Sequence, residues 1–559
     1  MRPFPYHALP RTLATVVPRH RGFATNPLGL VARYGVARRR HSYGYDSSSR
    51  LVSRPHPFAP LLRNLCAAVL APAALLLAAG CVTVPKTAPA VAAVSPQQLG
   101  LSQQRMMSVD KQWWKGFGDS QLDSLIEEAF AHSPSLDEAI ARVRRAQAQA
   151  LAAGAGSQPQ LTLDGNEIRQ RLSENYTAPP KDLHIGAGGG GVYWIGELGL
   201  NLGWDLDFWG RQASLLQAAS SQAYAAELDR ASARLALAGS IAQAYVDLYR
   251  AYALADVAAD AQTQRESLLR LAQSRLHAGL DTAVEVKNAE ALVPQARLAR
   301  LMAENQRDVA VHRLAALAGH GADWYDRIQR PQLKLDTALP LPDALPMDLL
   351  AHRPDVIAAK ARIDAATADR AAAKAAFYPD ISLRAFAGFQ AVGLDKLLDS
   401  NSAAYGVGPA IHLPIFDAHR LEAGYLGATA EIDGTVSQYN DTVLGAVRDV
   451  SDALSRGDSL MRQRVESEQS LVAAQAAYDL AKSRYKSGLT SQLTVLNAET
   501  QLLGLRAATV GIDANLVIAR VTLLLTLGGS FEPPADTAAA DNSIPSSPSS
   551  AVAGSGASS

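Results

Sequence analysis

Cysteine is nearly missing from this chain of 559 residues: Cys66 and Cys81 are the only two. That excludes an internal disulfide framework and a Cys-based metal site. An excess of one charge is missing too, because Lys+Arg and Asp+Glu both number 53, so the balance does not point to nucleic acid. Aromatic residues make up 6%, little for a globular core of this length. There is no H-E-x-x-H, no Cys nucleophile after Cys81, and the 12 His are scattered, which argues against an enzyme, a resident metal or a bound cofactor. Proline is absent from Arg211 to about His277 and from Phe416 to Glu532. A helix over the first of these stretches would be about 100 Å long at 1.5 Å per residue, far longer than a globular core is wide. Such helices have to stand in an extended bundle.

What is present is a long duplication. Arg211, Gly279, Asn288, Glu290 and Gly319 recur as Arg420, Gly488, Asn497, Glu499 and Gly528, each 209 residues later, and the alignment needs no gap. Upstream, Pro134, Arg142 and Pro159 match Pro354, Arg362 and Pro379 at a spacing of 220, and 220 minus 209 leaves 11 extra residues between Pro159 and Trp204. This period far exceeds the roughly 20 to 50 residues of solenoid repeats. The unit is a duplicated half-domain.

The ends differ from this core. Residues 1–61 are rich in Arg and Ser with one acid, Asp46. That composition also suits an organellar transit peptide, but we read it as an extension ahead of a signal at 62–80. Arg63 precedes an apolar stretch, Leu65 to Gly80, that is too short to span a membrane as a helix. The stretch ends in Ala78-Ala79-Gly80-Cys81. After a linker (81–112), the first repeat takes 113–330, a connector 331–352 and the second repeat 353–530. The Ala/Ser/Pro/Gly tail at 531–559 has the composition of disorder.

Within each repeat the period changes from helical to two. Ser133-Pro134 starts a helix running to about Ala155, and its counterpart runs from Pro354 to about Phe377. After Pro159 and Pro379 two hairpins follow. Between Val192 and Leu206 the even positions are apolar while the odd ones include Glu197, Asn201 and Asp205; Tyr405, Val407, Pro409, Ile411, Leu413 and Ile415 repeat the pattern. A soluble sandwich alternates likewise, though about 9 to 11 residues suffice for a strand to cross a bilayer. The run Gly186 to Gly191 formally matches G-x-G-x-x-G, but a strand follows instead of a phosphate-binding helix, so it reads as a hairpin tip. In the last helix Leu496, Leu503, Val510, Val517 and Leu524, with Leu502, Leu516 and Leu523 beside them, form a heptad seam. The long helices break at Gly279-Leu280-Asp281-Thr282 and Gly488-Leu489-Thr490-Ser491, where Gly suits the C-terminal cap and Asp, Thr or Ser the next N-cap.

From about Trp113 to Gly529 the chain resembles the TolC family of outer-membrane efflux proteins. The lipobox, Pro346-x-x-Leu-Leu-x-x-Arg-Pro-Asp355-Val and Gly408-Pro-Ala-Ile-x-Leu-Pro-Ile-Phe-Asp417 resemble its NodT-type lipoproteins and the fusaric-acid-resistance branch. The resemblance implies a mainly α fold with a transmembrane β-barrel. Each protomer would supply four strands to a twelve-stranded barrel in a homotrimer, above a long coiled-coil-like helical tunnel. It further implies lipid on Cys81, residence in the outer membrane, and partnership with a periplasmic adaptor and an inner-membrane pump. The function would be passive export of drugs or other small toxic compounds, with aromatic acids as candidates. Adaptor docking falls on Arg275, Gly279, Leu280, Arg484, Gly488 and Leu489, and the aperture on Glu285, Tyr485, Thr494 and Asn497. The rival reading is a lipid-anchored coiled-coil scaffold without a channel, which would explain the heptads but not the two-faced strands.

Overall fold

The computed structural model describes residues 83–101, 112–171, 192–334, 352–529 and 531. Cys81, the Gly186–Gly191 run, most of the connector and the rest of the tail lie outside the described residues. Among the described residues, eleven regular elements of five or more residues, apart from short 3-10 turns, follow in order: α1 (Ser120–His132), α2 (Pro134–Ala155), β1 (Gln160–Arg171), β2 (Val192–Leu206), α3 (Arg211–His277), α4 (Ala283–Leu317), α5 (Pro354–Ala375), β3 (Asp380–Val392), β4 (Ala403–His412), α6 (Ala418–Lys486) and α7 (Gln492–Thr526). Helix α3 coincides with the first proline-free stretch. The second is divided at Gly488 into α6 and α7, as the duplication requires.

The strands form one antiparallel sheet in the order β1-β2-β3-β4, so the two hairpins join through β2 and β3. The register sets Leu163 opposite Leu200, Leu200 opposite Ala387, and Ala387 opposite Tyr405. One face is therefore apolar across all four strands, and it has no core beneath it: Leu163, Tyr405 and Val407 are 68%, 85% and 75% exposed. The other face is tied by polar side chains, with Asn201 donating to Asp164 at 2.9 Å and Gln390 to Glu197 at 2.8 Å. The apolar series of β4 was expected to reach Ile415, but the strand ends at His412. Pro414 follows, and proline has no N–H for a ladder. Within the single chain β4 pairs with β3 alone, so Pro409 breaks no ladder bond on its outer side there.

The largest core cluster joins the start of the chain to both repeats. Trp113, Trp114 and Phe117 pack with Leu122, Leu125 and Ile126 of α1, Ile241, Tyr245 and Leu248 of α3, Leu314 of α4, and Val517 and Val521 of α7. Asp119 locks this belt: it accepts the Gln121 N–H as N-cap of α1, the Tyr245 hydroxyl at 2.7 Å and the Gln332 N–H at 2.6 Å. The heptad seam of α7 is only partly buried. Leu502, Val517 and Leu523 of the expected rows are buried, Leu496, Leu503, Val510, Leu516 and Leu524 are half-buried, and Val495, outside those rows, is buried too. A straight helix drifts by about 20° per heptad, and α7 packs on both α6 and α3, so its buried stripe is no simple 3.5-residue line. Helix α7 is also the one described helix long and apolar enough to cross a membrane, but the same apolar side chains pack against these neighbours.

The linker is a strap. The backbone N–H groups of Ala90 and Val91 donate to Asp433 on α6, Val94 donates to Asn440, and Arg370 of α5 donates to the Thr87 carbonyl. Val84 packs on Phe377, Leu421 and Tyr425, close to where α5 gives way to β3.

Candidate functional site

The two helical breaks lie side by side and share one construction. In the first, Gly279 (φ 69°) donates to Leu276 O at 2.9 Å and Leu280 to Arg275 O at 2.8 Å; in the second, Gly488 (φ 76°) donates to Tyr485 O at 3.0 Å and Leu489 to Arg484 O at 2.8 Å. This paired pattern satisfies the last carbonyls of each helix, and its left-handed residue is the reason for glycine. The residue after each glycine is thrown outward, leaving Leu280 63% and Leu489 70% exposed.

Beneath these leucines the two tips are joined by a buried three-residue cluster. Arg275 donates through Nε to Asp281 Oδ2 at 2.9 Å and through Nη1 to the Tyr485 carbonyl at 2.8 Å. Its guanidinium lies 4.6 Å from the centre of the Tyr485 ring, whose hydroxyl donates to Asp281 Oδ2 at 2.5 Å. Burial alone would raise the Asp281 pKa, but the hydrogen bonds from Arg275 and Tyr485 and the Arg275 charge outweigh it and hold the carboxyl below its ordinary value. The Tyr485 phenol is pushed up by burial and by the Asp281 carboxylate.

This geometry redistributes the expected roles. Arg275 was expected at the docking surface, but it is buried with its charge turned inward, so it holds the turn and cannot present its guanidinium to a partner. Its repeat counterpart Arg484 is exposed. Tyr485 is only 1% exposed and sits inside the tip. Thr494 and Asn497 are exposed, and Thr494 accepts from Thr490 at 3.0 Å. The Glu285 carboxylate is occupied at its own helix start: it accepts the Thr282 N–H at 3.1 Å, while Thr282 Oγ1 accepts the Val284 N–H at 3.2 Å. This capping box holds the Glu285 pKa down, first through the Thr282 hydroxyl. Sequence reasoning took Asp281 for a cap and missed that it joins the halves. The available signal was that Asp281 and Tyr485 depart together from their repeat counterparts, Thr490 and Leu276.

Known proteins resemble the chain over most of its length. The outer membrane efflux protein family matches residues 125–320 and 345–529, one segment for each copy of the repeat. The multidrug resistance outer membrane protein MdtP of Shigella flexneri is 31% identical over 483 residues, covering 84% of this chain and 97% of its own. The fusaric acid resistance protein FusA of Burkholderia cepacia is 37% identical over 322 residues, 57% of this chain and 60% of its own. Among solved structures, the outer membrane protein VceC of Vibrio cholerae aligns with a TM-score of 0.70 at 36% identity, over 76% of this chain and 100% of that one. With its duplicated long helices, its sheet exposing an apolar face and its paired glycine-capped tips, the chain belongs to the outer membrane efflux protein family and is the outer-membrane channel component of an efflux system.

Proposed function

We propose that three copies of this chain form one passive conduit, anchored by lipid on Cys81 and opened at the helical tips by a periplasmic adaptor that links it to an inner-membrane pump. The sheet carries this reading. Its four strands leave β1 and β4 with an unpaired edge each. Unpaired edges are not tolerated in lipid, and single-chain barrels need eight strands or more, so the protomers must associate. Two copies would give eight strands and three give twelve; the family resemblance selects three. The outward apolar face then meets lipid, and the polar face with Asp164, Asn201, Glu197 and Gln390 lines water. A scaffold without a channel has no use for such a face.

The strap supports the anchor. Val84 is seated beside the start of β3, and the three residues back to Cys81 reach at most about 11 Å, so lipid on that thiol would enter the same membrane surface as the strands. At the other end, Leu280 and Leu489 offer two exposed apolar knobs per protomer, six per trimer, for adaptor hairpins. Gly279 and Gly488 set their direction, and Arg484 adds charge at the rim. The Arg275–Asp281–Tyr485 cluster holds the two tips together in the closed form, with Thr494, Asn497 and Glu285 around the aperture. In this reading the conduit is passive and the inner-membrane pump drives transport.

The test replaces Leu280 and Leu489 with Asp. Efflux should be lost while the yield of inserted trimer is unchanged; unaltered efflux removes the docking role. In single-channel recordings Tyr485→Ala should raise open probability. Glu285→Gln separates the two roles of that carboxylate, since an unchanged reversal potential in asymmetric salt would leave it a helix cap and nothing more.

A further inference from the structure

The histidines that look scattered in sequence do not all remain so in space. His132, the last residue of α1, lies beside His320, in the turn after α4, with ring centres 5.1 Å apart. Glu128, one helical turn before His132, stands between them: its Oε2 is 3.1 Å from His132 Nδ1 and 3.3 Å from His320 Nε2, and all three donor atoms lie within 4.8 Å of one another. We propose that Glu128, His132 and His320 form a zinc site that clasps the end of α1 to the end of α4.

The donor set and its spacing both favour this. Zinc bonds nitrogen and oxygen at about 2.0 to 2.2 Å in a tetrahedron, which requires donors about 3.4 Å apart. Two of the three separations are already there, and a small rotation of the half-exposed His132 ring closes the third. Two imidazoles and one carboxylate suit zinc or its first-row neighbours, whereas magnesium and calcium prefer all-oxygen sets. Water takes the fourth position, because the cluster opens to solvent. His132 Nδ1 also lies 3.1 Å from the Glu128 carbonyl, so in the metal-free protein it can carry the proton; binding requires the other tautomer, with the proton on Nε2.

The site is held rigidly by features that owe nothing to the metal. The His320 ring is stacked on Trp324 at 3.8 Å and 6°, and the His320 backbone N–H donates to Ala315 O at 2.9 Å. Gly319 presses so closely on His132 that a Cβ there would lie 2.4 Å from the His132 carbonyl oxygen. The second repeat keeps this backbone contact, between Gly528 and the His352 carbonyl, but Gly529 stands where the first repeat has His320. The fold thus does not need an imidazole at this position, and one copy of the repeat alone has acquired the third donor.

The experiment uses the full chain as a detergent-solubilised assembly, purified without a histidine tag and stripped with chelator, then titrated with zinc chloride at pH 7.5. One zinc per chain is expected, unaffected by a large excess of magnesium and accompanied by a rise in melting temperature that chelator reverses. Loss of a second-shell group costs about 10- to 100-fold in affinity, so loss of a direct ligand should cost at least as much. Accordingly His320→Gly, His132→Gln and Glu128→Gln should each weaken binding about tenfold or more. His320→Gly reproduces a residue the second repeat already tolerates, and its melting temperature without zinc shows that it folds. No bound zinc in the parent protein, or zinc held equally well by the three variants, overturns the site.

Discussion

The two tips descend from one ancestral turn, and their backbones still agree, yet their side chains have taken opposite assignments. In the first, Arg275 is buried and Asp281 receives it; in the second, the corresponding Arg484 is exposed and Thr490 stands where the acid would be. The first tip's helix start is closed by the Thr282–Glu285 box, whereas Ser491 makes no side-chain cap in the second. In place of Leu276 the second tip supplies Tyr485, whose ring and carbonyl complete the cluster around Arg275. Duplication leaves two equivalent surfaces in contact, and a contact between unlike residues fixes which copy lies where.

The largest effect should come from removing the acid. Asp281→Ala leaves the Arg275 charge buried with no counter-charge, against carbonyls and the Tyr485 ring. Breaking a deeply buried pair costs about 3–5 kcal/mol, and solvent around a helix tip screens part of this, so roughly 2–3 kcal/mol is expected here. Amide hydrogen exchange should accelerate accordingly on both sides of the contact, near residues 275–282 and 484–488. Thr490→Ala, at the equivalent place, should change nothing beyond about 0.5 kcal/mol. Equal effects at 281 and 490 would mean that the tips are still interchangeable.

A second asymmetry lies one to two turns deeper, at Glu290 and Glu499. Glu290 pairs with Lys287 at 2.7 Å near the surface. Glu499 is 1% exposed; Arg265 Nε approaches its Oε1 to 3.3 Å, as an ion pair poorly aligned for a hydrogen bond, with Lys482 and Tyr478 as the other charged or titratable neighbours. Burial raises the Glu499 pKa against the pull of Arg265 and Lys482. A carboxyl whose folded pKa is raised binds its proton better in the folded state, so stability falls as pH rises from the ordinary value through the raised one. Asp281 has the opposite sign: its contribution is full above its ordinary pKa and is lost only as pH falls through its depressed folded value, below about 4. Above the ordinary carboxylate range the two therefore separate. Acidification from neutral pH down to that range should stabilise the α6–α7 region of the parent protein in hydrogen exchange. Glu499→Gln should flatten this response, and Glu290→Gln should leave it intact.

The long helices, their glycine-capped breaks and the alternating strands were legible in the sequence because each rests on a local rule: a proline-free run, a left-handed residue, a period of two. The orientation of the site residues was not. Arg275 meets Tyr485 across 210 positions, and the local differences from Arg484, Leu276 for Tyr485 and Asp281 for Thr490, do not say that the three residues meet across the repeats. The same limit hid the neighbourhood of Glu128 and His320, which is created by the packing of the α1 end on the Gly319 turn. The α7 seam misled for a related reason, since a heptad count assumes one partner and this helix has two.

The smallest difference between the tips is the helix cap, and it admits the cleanest exchange. Thr282 Oγ1 accepts the Val284 N–H at 3.2 Å, and such a cap is worth about 1 kcal/mol. Thr282→Ala should therefore accelerate hydrogen exchange in the first turn of α4 about fivefold, whereas Ser491→Ala should leave the first turn of α7 within about twofold of the parent, because the Ser491 hydroxyl makes no cap bond there. The converse is Thr494→Glu, which writes Ser491-x-x-Glu into the second tip and supplies the acid of a capping box. Helix α7 should then fray less at its start, provided the Ser491 hydroxyl turns from Thr494 towards its own helix. If Thr494→Glu leaves exchange at residues 491–495 unchanged, the new box does no more than make up for the hydrogen bonds that Thr490 and Ser491 share with the Thr494 hydroxyl, and the second tip has replaced the cap instead of losing it.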